Sequence, residues 1–294
     1  MKPILIPLFL VVFLLPGGCR KTGDNNNAVI TNPTSYILKK RTISIPNSWG
    51  VTTEFFYNSR NLVSQIKSVR WNQGSVYGQP VRIWYDTTNY SFEYTNGRVS
   101  RSTFGNGPST AYYIYEYNAA GLLFRRTTYQ PYIAYDPATG GTKPDTMKRY
   151  NLYSYDNNRN LSEVIDSTNK TAFRHEFTYD GNGNMVSEII YEVEYQMKLK
   201  SEWSDFDNKV NFVKAINGLP PTYPWDNTFF AYSCSSPGNF GVQKEYSTTR
   251  IDQSFVNTAS NSYSYEYNEE ALPTKMIGGN SVVTFEYQKF KRFH

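Results

Sequence analysis

The stretch FTYDGNGNMVSEI, Phe177 to Ile189, sets the pattern from which the fold of this chain can be predicted. Phe177 and Tyr179 occupy alternate positions, which share one face of a β-strand. They are followed by Asp180 and a run of glycines and asparagines, residue types that favour tight hairpin turns. A calcium loop of the EF-hand type is the alternative, but its twelfth position falls on Tyr191 instead of a glutamate. We therefore predict a β-hairpin turn here.

The same pattern recurs along the chain, which makes internal repetition the main guide to its architecture. Each copy has aromatic residues at alternate positions, then an Asp, Asn or Thr or a close variant, then turn residues and an apolar residue. The other copies are EFFYNSRNLVSQI, SFEYTNGRVSRST, YIYEYNAAGLLFRRT, NLYSYDNNRNLSEVI, EWSDFDNKVNFVKAI and SYSYEYNEEALPTKM. Each unit is predicted to form one hairpin, and the series an antiparallel meander.

The composition supports an all-β protein. The 294 residues include 26 Tyr and 18 Phe, so that aromatic residues make up 17% of the chain. Aromatic and β-branched residues favour the half-buried surface of a sheet, and no long window shows the periodicity of an amphipathic helix. Stacked aromatic pairs can stabilise a large sheet without disulfides, because burying each side chain contributes about 1.5–3 kcal/mol.

Three segments, YDNNRNLSEV, YDGNGNMVSEI and YNAAGLL, resemble the YD repeats of RHS-type proteins, whose hairpin units build long curling β-sheets. The resemblance covers roughly residues 52–290. It implies an all-β fold in which an antiparallel meander of repeated YD-type hairpins forms a large twisted or curled open sheet. Together with the N-terminal signal described next, the chain resembles the uncharacterised YD-repeat-like lipoproteins of Bacteroidota envelopes. The C-terminus shows no toxin-like effector segment, so a toxin function is not carried over.

The N-terminus, MKPILIPLFLVVFLLPGGC, has the features of a bacterial lipoprotein signal. Its apolar run is too short to cross a bilayer, which needs about 20 residues. We predict a signal peptide at residues 1–18, a lipidated Cys19, a flexible tether at 19–34 and a single β domain at 35–294. A plain secretory signal with a coincidental cysteine is the alternative. Lipidation would place the protein in the bacterial cell envelope, anchored to the outer membrane on a face that the sequence leaves open.

Candidate catalytic and cofactor residues are few. The chain has two His, at positions 175 and 294, and two Cys, which is too few for a zinc site if Cys19 carries lipid. His175 shares a predicted strand face with Phe177 and Tyr179, as expected of a partly buried sheet residue. Asp205 and Asp207 could act as a glycosidase acid pair, although Asp207 aligns with the turn position of the repeats. We predict no enzyme, cofactor or metal site.

The net charge of +5 is small and dispersed, which argues against nucleic acid as a partner. The densest basic cluster is the C-terminal QKFKRFH, which contains Lys289, Lys291 and Arg292. This cluster is predicted to be a solvated tail or edge strand, with an anionic partner as the alternative.

The least repetitive segment, residues 216–241, is a proline-rich aromatic loop and the expected contact surface. Tyr223, Trp225, Phe229 and Phe230 are its candidate ligand or partner residues. Alternatively, the loop folds back over a sheet edge or the core. The predicted function is a non-enzymatic, lipid-anchored interaction or scaffold module with an unknown protein partner. The alternative is carbohydrate binding by coplanar exposed aromatics, with Trp71 or Trp84 contributing.

Overall fold

The computed structural model describes residues 36–289, except 47, 77–78, 106–109, 167–172, 193–195, 210, 217, 220–235, 237 and 249. Sixteen strands occupy most of this range. They are β1 (Tyr36–Ser44), β2 (Trp49–Tyr57), β3 (Val63–Val76), β4 (Gln79–Thr95), β5 (Arg98–Phe104), β6 (Ala111–Tyr117), β7 (Leu123–Asp136), β8 (Gly141–Tyr155), β9 (Leu161–Asp166), β10 (Phe173–Tyr179), β11 (Met185–Glu192), β12 (Met197–Ser204), β13 (Val242–Ser247), β14 (Val256–Tyr267), β15 (Pro273–Gly278) and β16 (Ser281–Lys289). One turn of 3-10 helix spans Phe212–Ala215.

The strands form a closed antiparallel barrel in which every strand pairs with its neighbours in sequence. The all-β, antiparallel part of the prediction agrees with this structure, but the open twisted or curled sheet is wrong. β1 pairs with β16 from Tyr36↔Lys289 to Ser44↔Val282, so the two edges of the meander satisfy each other. Closure removes the exposed edge strands that an open sheet would leave. Sequence patterns of single hairpins cannot predict closure, because the closing pair joins the first and the last strand of the barrel.

The predicted turns share one geometry. The side chains of Asn58, Asn118, Asp156, Asp180 and Asn268 each accept a hydrogen bond from the backbone N–H four positions later, at 2.8–3.1 Å. The residue just before that N–H has a positive φ in every case, at Asn61, Gly121, Arg159, Gly183 and Ala271. All five turns lie at one end of the barrel, which we call the turn end. We call the opposite end the hairpin end.

Asp180 is a turn residue, as the sequence pattern indicates. Its carboxylate accepts hydrogen bonds from the backbone of Asn182 and Asn184 and from the Asn184 side chain. Burial alone would raise its pKa, but these hydrogen bonds stabilise the charged form and lower the pKa below the usual value of 3.8.

A ring of tyrosines inside the turn end joins successive hairpins. Each hydroxyl donates to a backbone carbonyl on the preceding strand at 2.5–2.9 Å; the pairs are Tyr57–Leu38, Tyr94–Val63, Tyr117–Val99, Tyr155–Leu123, Tyr179–Leu161 and Tyr287–Pro273. Burial raises the pKa of several of these hydroxyls, including those of Tyr57 and Tyr94. Because an ordinary tyrosine is already protonated at neutral pH, all six hydroxyls can donate there. In the repeated motif, the tyrosine ring thus packs against the core, and its hydroxyl bonds to the preceding strand.

Candidate functional site

The segment between β12 and β13 is an insertion within one of the repeated turns. Asp207 takes the place of the turn aspartate, and its backbone N–H donates to the carbonyl of Asn239 at 2.9 Å. In the ordinary turns the corresponding partner lies four positions later, whereas Asn239 lies 32 positions after Asp207. Asn239 also donates to the Asp207 carboxylate through both its backbone and its side chain. The turn is therefore closed as in the other units, with residues 208–238 inserted in it.

The described part of this insertion crosses the turn end of the barrel. Phe212 is buried and its ring lies 4.5 Å from that of Phe285 on β16. Farther along, a Cβ on Gly218 would lie 3.0 Å from the Tyr94 hydroxyl and 3.1 Å from the Leu62 side chain, so its backbone packs against these two inner side chains. At the other end of the insertion, Ser236 Oγ accepts from the Met185 backbone on β11 at 3.0 Å. The described ends of the insertion thus contact well-separated parts of the wall, and we call the described residues of 211–219 together with Ser236 and Gly238 the plug.

The inside of the barrel is a packed core. Inward-facing aliphatic and aromatic side chains from around the wall form one cluster, together with Phe212, Ile216 and Phe240 from the plug segment and its flank. A barrel of 16 strands can enclose an aqueous channel, as in porins. Here the side chains of this cluster are almost completely shielded from water. The geometry therefore favours a structural core over a conduit.

Two titratable side chains are paired inside this core. His175 Nδ1 lies 2.8 Å from Glu188 Oε1, and both side chains are almost fully buried. The residues are close because β10 and β11 pair antiparallel, with Phe177 opposite Glu188 and His175 opposite Ile190. Nearby, burial raises the pKa of Glu192, and the neighbouring His175 partly offsets the effect. The prediction that His175 belongs to a sheet face agrees with its position, and its partner Glu188 was missed.

The outer wall carries charged side chains that pair between strands. Lys40 on β1 lies 3.0 Å from Glu286 on β16, and Lys275 on β15 lies 2.7 Å from Glu266 on β14. Arg174 on β10 lies 2.6 Å from Glu163 on β9, and Arg125 on β7 pairs with Glu116 on β6. Lys275 and Glu286 alternate along their strands with the inward-facing core residues Met276 and Phe285. The outer wall therefore carries paired charges at widely separated positions around the barrel, while the interior is mainly apolar but also buries Arg41 and Arg126.

The hairpin end has a different surface. The strands of β3–β4 and β7–β8 are 14 to 17 residues long, compared with seven in β5 and β6, so these two hairpins extend past the rim. They carry large exposed apolar side chains: Ile133 and Tyr135 are each 67% exposed, and Ile83 and Trp84 are each 53% exposed. Exposed apolar groups at one end of a molecule are typical of contact surfaces.

Several residues predicted to form a site fall outside the part of the chain that the structure describes. These are Cys19, Tyr223, Trp225, Phe229, Phe230, Lys291 and Arg292. Their predicted roles therefore stay predictions. The ends of the predicted aromatic loop are described, and Ile216 and Phe240 are both buried in the core.

Two other predicted arrangements differ from the structure. Trp71 is buried and its ring plane is inclined at 68° to that of Trp84, so the pair forms no coplanar platform for a sugar ring. Asp205 and Asp207 lie beyond the end of β12 and do not share a strand face. Asp207 instead accepts hydrogen bonds from Asn239, Lys209 and Tyr267, which fix the plug.

The described residues hold no group of three or more His, Cys, Asp or Glu side chains placed to bind a metal ion. No helix in the described ranges is long and apolar enough to cross a membrane.

Comparison with known proteins relates this chain to others by fold. A porin-like protein from Bacteroides uniformis has a TM-score of 0.53 and 11% sequence identity, covering 88% of this chain and 98% of that chain. A porin-like protein from Bacteroides vulgatus has a TM-score of 0.48 and 8% identity, covering 86% and 98%. The TcdB2–TccC3 complex gives a TM-score of 0.21 and 12% identity, covering 79% of this chain and 12% of that chain. No protein-family model and no curated protein matches.

The first of these matches agrees with the closed barrel, and it extends over nearly the whole of the other chain. The identification of this chain with open YD-repeat sheets is therefore wrong. The repeated tyrosine and Asx residues specify a hairpin and its contact with the next one. They do not specify whether the resulting sheet stays open or closes.

Proposed function

We propose that this chain is a non-enzymatic, lipid-anchored envelope protein whose barrel stands in water beside the membrane and serves as an interaction module. The observation that carries the proposal is the polarity of the wall, with paired charges outside and aromatic side chains inside. A barrel embedded in lipid has the opposite arrangement, an apolar outer band. A lysine or arginine facing lipid near the midplane costs about 2–4 kcal/mol. The porin-like fold neighbours support an envelope location, and the polar wall argues against insertion.

Membrane association should depend on Cys19. In a Cys19→Ser variant exported through a cleavable secretory signal, the barrel has no lipid, and we expect a high-salt wash, which screens contacts with lipid headgroups, to move it from the membrane pellet to the soluble fraction. The polar outer wall gives the reason, since it offers no apolar band for the bilayer. Fractionation of cells followed by immunoblotting measures the change, and incorporation of a labelled fatty acid reports lipidation of the unaltered chain.

A Cys234→Ser variant is the matched control, because it removes a thiol but leaves the lipidation sequence intact. It should remain in the pellet and incorporate the fatty acid. A Cys19→Ser protein that stays in the membrane and resists extraction at high salt would show a barrel inserted in lipid. That result would contradict the proposal.

The partner-facing surface in this proposal is the hairpin end. Ile133 and Tyr135 lie on one face of the β7–β8 hairpin, away from the turn end where the chain enters the barrel at Tyr36. Because the plug and both termini of the barrel lie at the turn end, the hairpin end is free to point away from the anchoring membrane. Rigid strands carrying exposed apolar side chains are suited to protein contacts.

A photo-crosslinking amino acid at Ile133 should capture a protein in living cells. Because Ile133 is 67% exposed, a larger side chain fits there without disturbing the barrel. The same amino acid at Thr284, an exposed position in the middle of β16, is the control and should give no discrete product. Adducts that are equally strong at both positions, or at neither, would count against a partner at the hairpin end. Gel shifts and mass spectrometry of the adduct provide the measurement.

A further inference from the structure

A basic cavity lies on the outer wall at the turn end, beside the point where the chain enters the barrel. Its volume is about 480 Å³, and its lining includes Lys39, Lys40 and Lys289. Glu54 is the acidic residue among the lining residues, and Asn58 and Gln288 add amide groups. The cavity therefore has an excess of positive charge and several neutral hydrogen-bond donors.

A β-bulge concentrates this charge. The register between β1 and β16 shifts between Leu38 and Lys40, so that Lys39 has no residue directly opposite it in β16. A bulge re-aims side chains relative to the regular alternation of a strand. Lys39 and Lys40 thus both line the same outer cavity, although they are adjacent in sequence. Lys40 is paired with Glu286, Lys39 is exposed, and the ammonium of the exposed Lys289 lies 5.8 Å from the centroid of the Tyr36 ring.

An aromatic side chain completes the site. Phe56 lines the cavity and is 44% exposed. Lysines next to an exposed ring match the boundary between lipid headgroups and acyl chains, where the ammonium groups meet phosphates and the ring meets hydrocarbon. A free anion in water would gain nothing from the ring.

The position of the cavity relative to the chain entry point identifies its occupant. Tyr36 begins β1, and the preceding residues 20–35 connect this end to the predicted lipid on Cys19. The tether predicted from the sequence for these residues would have a reach of about 20 Å. We infer that this cavity binds the phosphate of an anionic lipid headgroup in the anchoring membrane, which fixes the turn end against the bilayer. The inference rests on the proposed lipid anchoring for its orientation.

Vesicle binding tests the inference without the lipid anchor. The chain from Arg20 to His294 contains every strand of the closed barrel and should fold as a unit. We expect it to co-sediment with vesicles containing phosphatidylglycerol and not with vesicles of phosphatidylcholine alone. The double variant Lys39→Gln/Lys289→Gln should bind about twenty-five-fold more weakly, about fivefold for each lysine. Because the assay omits the lipid on Cys19, its failure and the failure of lipid anchoring can be distinguished.

Two control variants distinguish binding at the cavity from general attraction of a basic protein to an anionic membrane. Lys143→Gln/Lys148→Gln removes the same charge from the hairpin end and should bind as well as the unaltered chain. Lys39→Arg/Lys289→Arg keeps the charge and should retain binding, which guards against a misfolded glutamine variant. Equal losses in the two glutamine variants would show general attraction and overturn the inference. Release from vesicles by inorganic phosphate at constant ionic strength would indicate a free-phosphate site, and would overturn it as well.

Discussion

Replacing Phe212 by alanine should destabilise the barrel by about 3–5 kcal/mol, the range for deleting a buried phenylalanine. Phe212 is 3% exposed and packs on Phe285, which lies in the strand that closes the barrel against β1. Loss of the ring therefore leaves a cavity beside the closing pair and weakens the attachment of the plug. Urea unfolding followed by tryptophan fluorescence measures the change in the free energy of unfolding.

Phe124→Ala is the matched control for this variant. It deletes a phenylalanine ring at the turn end that is 39% exposed, compared with 3% for Phe212. We expect a clearly smaller loss, because this ring is already partly in water and its removal leaves no enclosed cavity. If Phe212→Ala were no more destabilising than this control, the insertion would be a surface loop and not part of the core.

The sequence was sufficient to predict the hairpins because their determinants are local. The alternation of Tyr and Phe assigns the inner face of each strand, and the Asx residue with a positive-φ residue three positions later closes each turn. These signals lie within about a dozen residues of one another. All-β structure and antiparallel order follow from them directly. The turn at Asp180 is an example in which the geometry matches the pattern in detail.

Closure of the sheet depends on contacts that no local pattern contains. β1 must meet β16, and the register between them includes the bulge at Lys39. The number and twist of the strands jointly decide whether the edges meet. A resemblance based on repeated tyrosines indicates neither the number of strands nor their twist. The prediction of an open sheet failed for this reason.

The plug was anticipated only in part: a fold back over the core was one alternative for residues 216–241, but the prediction that EWSDFDNKVNFVKAI forms an ordinary hairpin was wrong, since Phe212–Ala215 is a turn of 3-10 helix. Phe206 and Asp207 have the aromatic–Asx signature of the other turns, and the alignment of the repeats therefore predicted a turn at Asp207. The residue that completes the turn is Asn239, and the intervening segment has no repeat to compare with. The signal was present in the pair NF at 239–240, since Asn160 and Asn184 close their turns with the same amide contact to the turn aspartate. Recognising it requires treating residues 208–238 as an insertion.

Separating His175 from Glu188 should have the second large effect on stability. Their side chains are 5% and 7% exposed, and Nδ1 lies 2.8 Å from the carboxylate. Replacing Glu188 with leucine keeps much of the volume but removes the polar partner of a buried imidazole. Breaking a buried pair in this way costs about 3–5 kcal/mol. The change in the free energy of unfolding can be measured by urea titration, and His175→Phe alone should also be destabilising.

The double variant His175→Phe/Glu188→Leu separates the contribution of the His175–Glu188 contact from the effect of changed side-chain packing. Both polar groups are then replaced by apolar ones in a core that already contains Val164 and Phe177, with the half-buried Ile190 opposite His175. Since apolar replacement of a whole buried pair is often nearly neutral, the double variant should be more stable than Glu188→Leu alone. If the losses of the single variants simply add, the two residues do not stabilise each other. If the double variant loses less stability than the sum of the single variants, each residue compensates for the burial of the other.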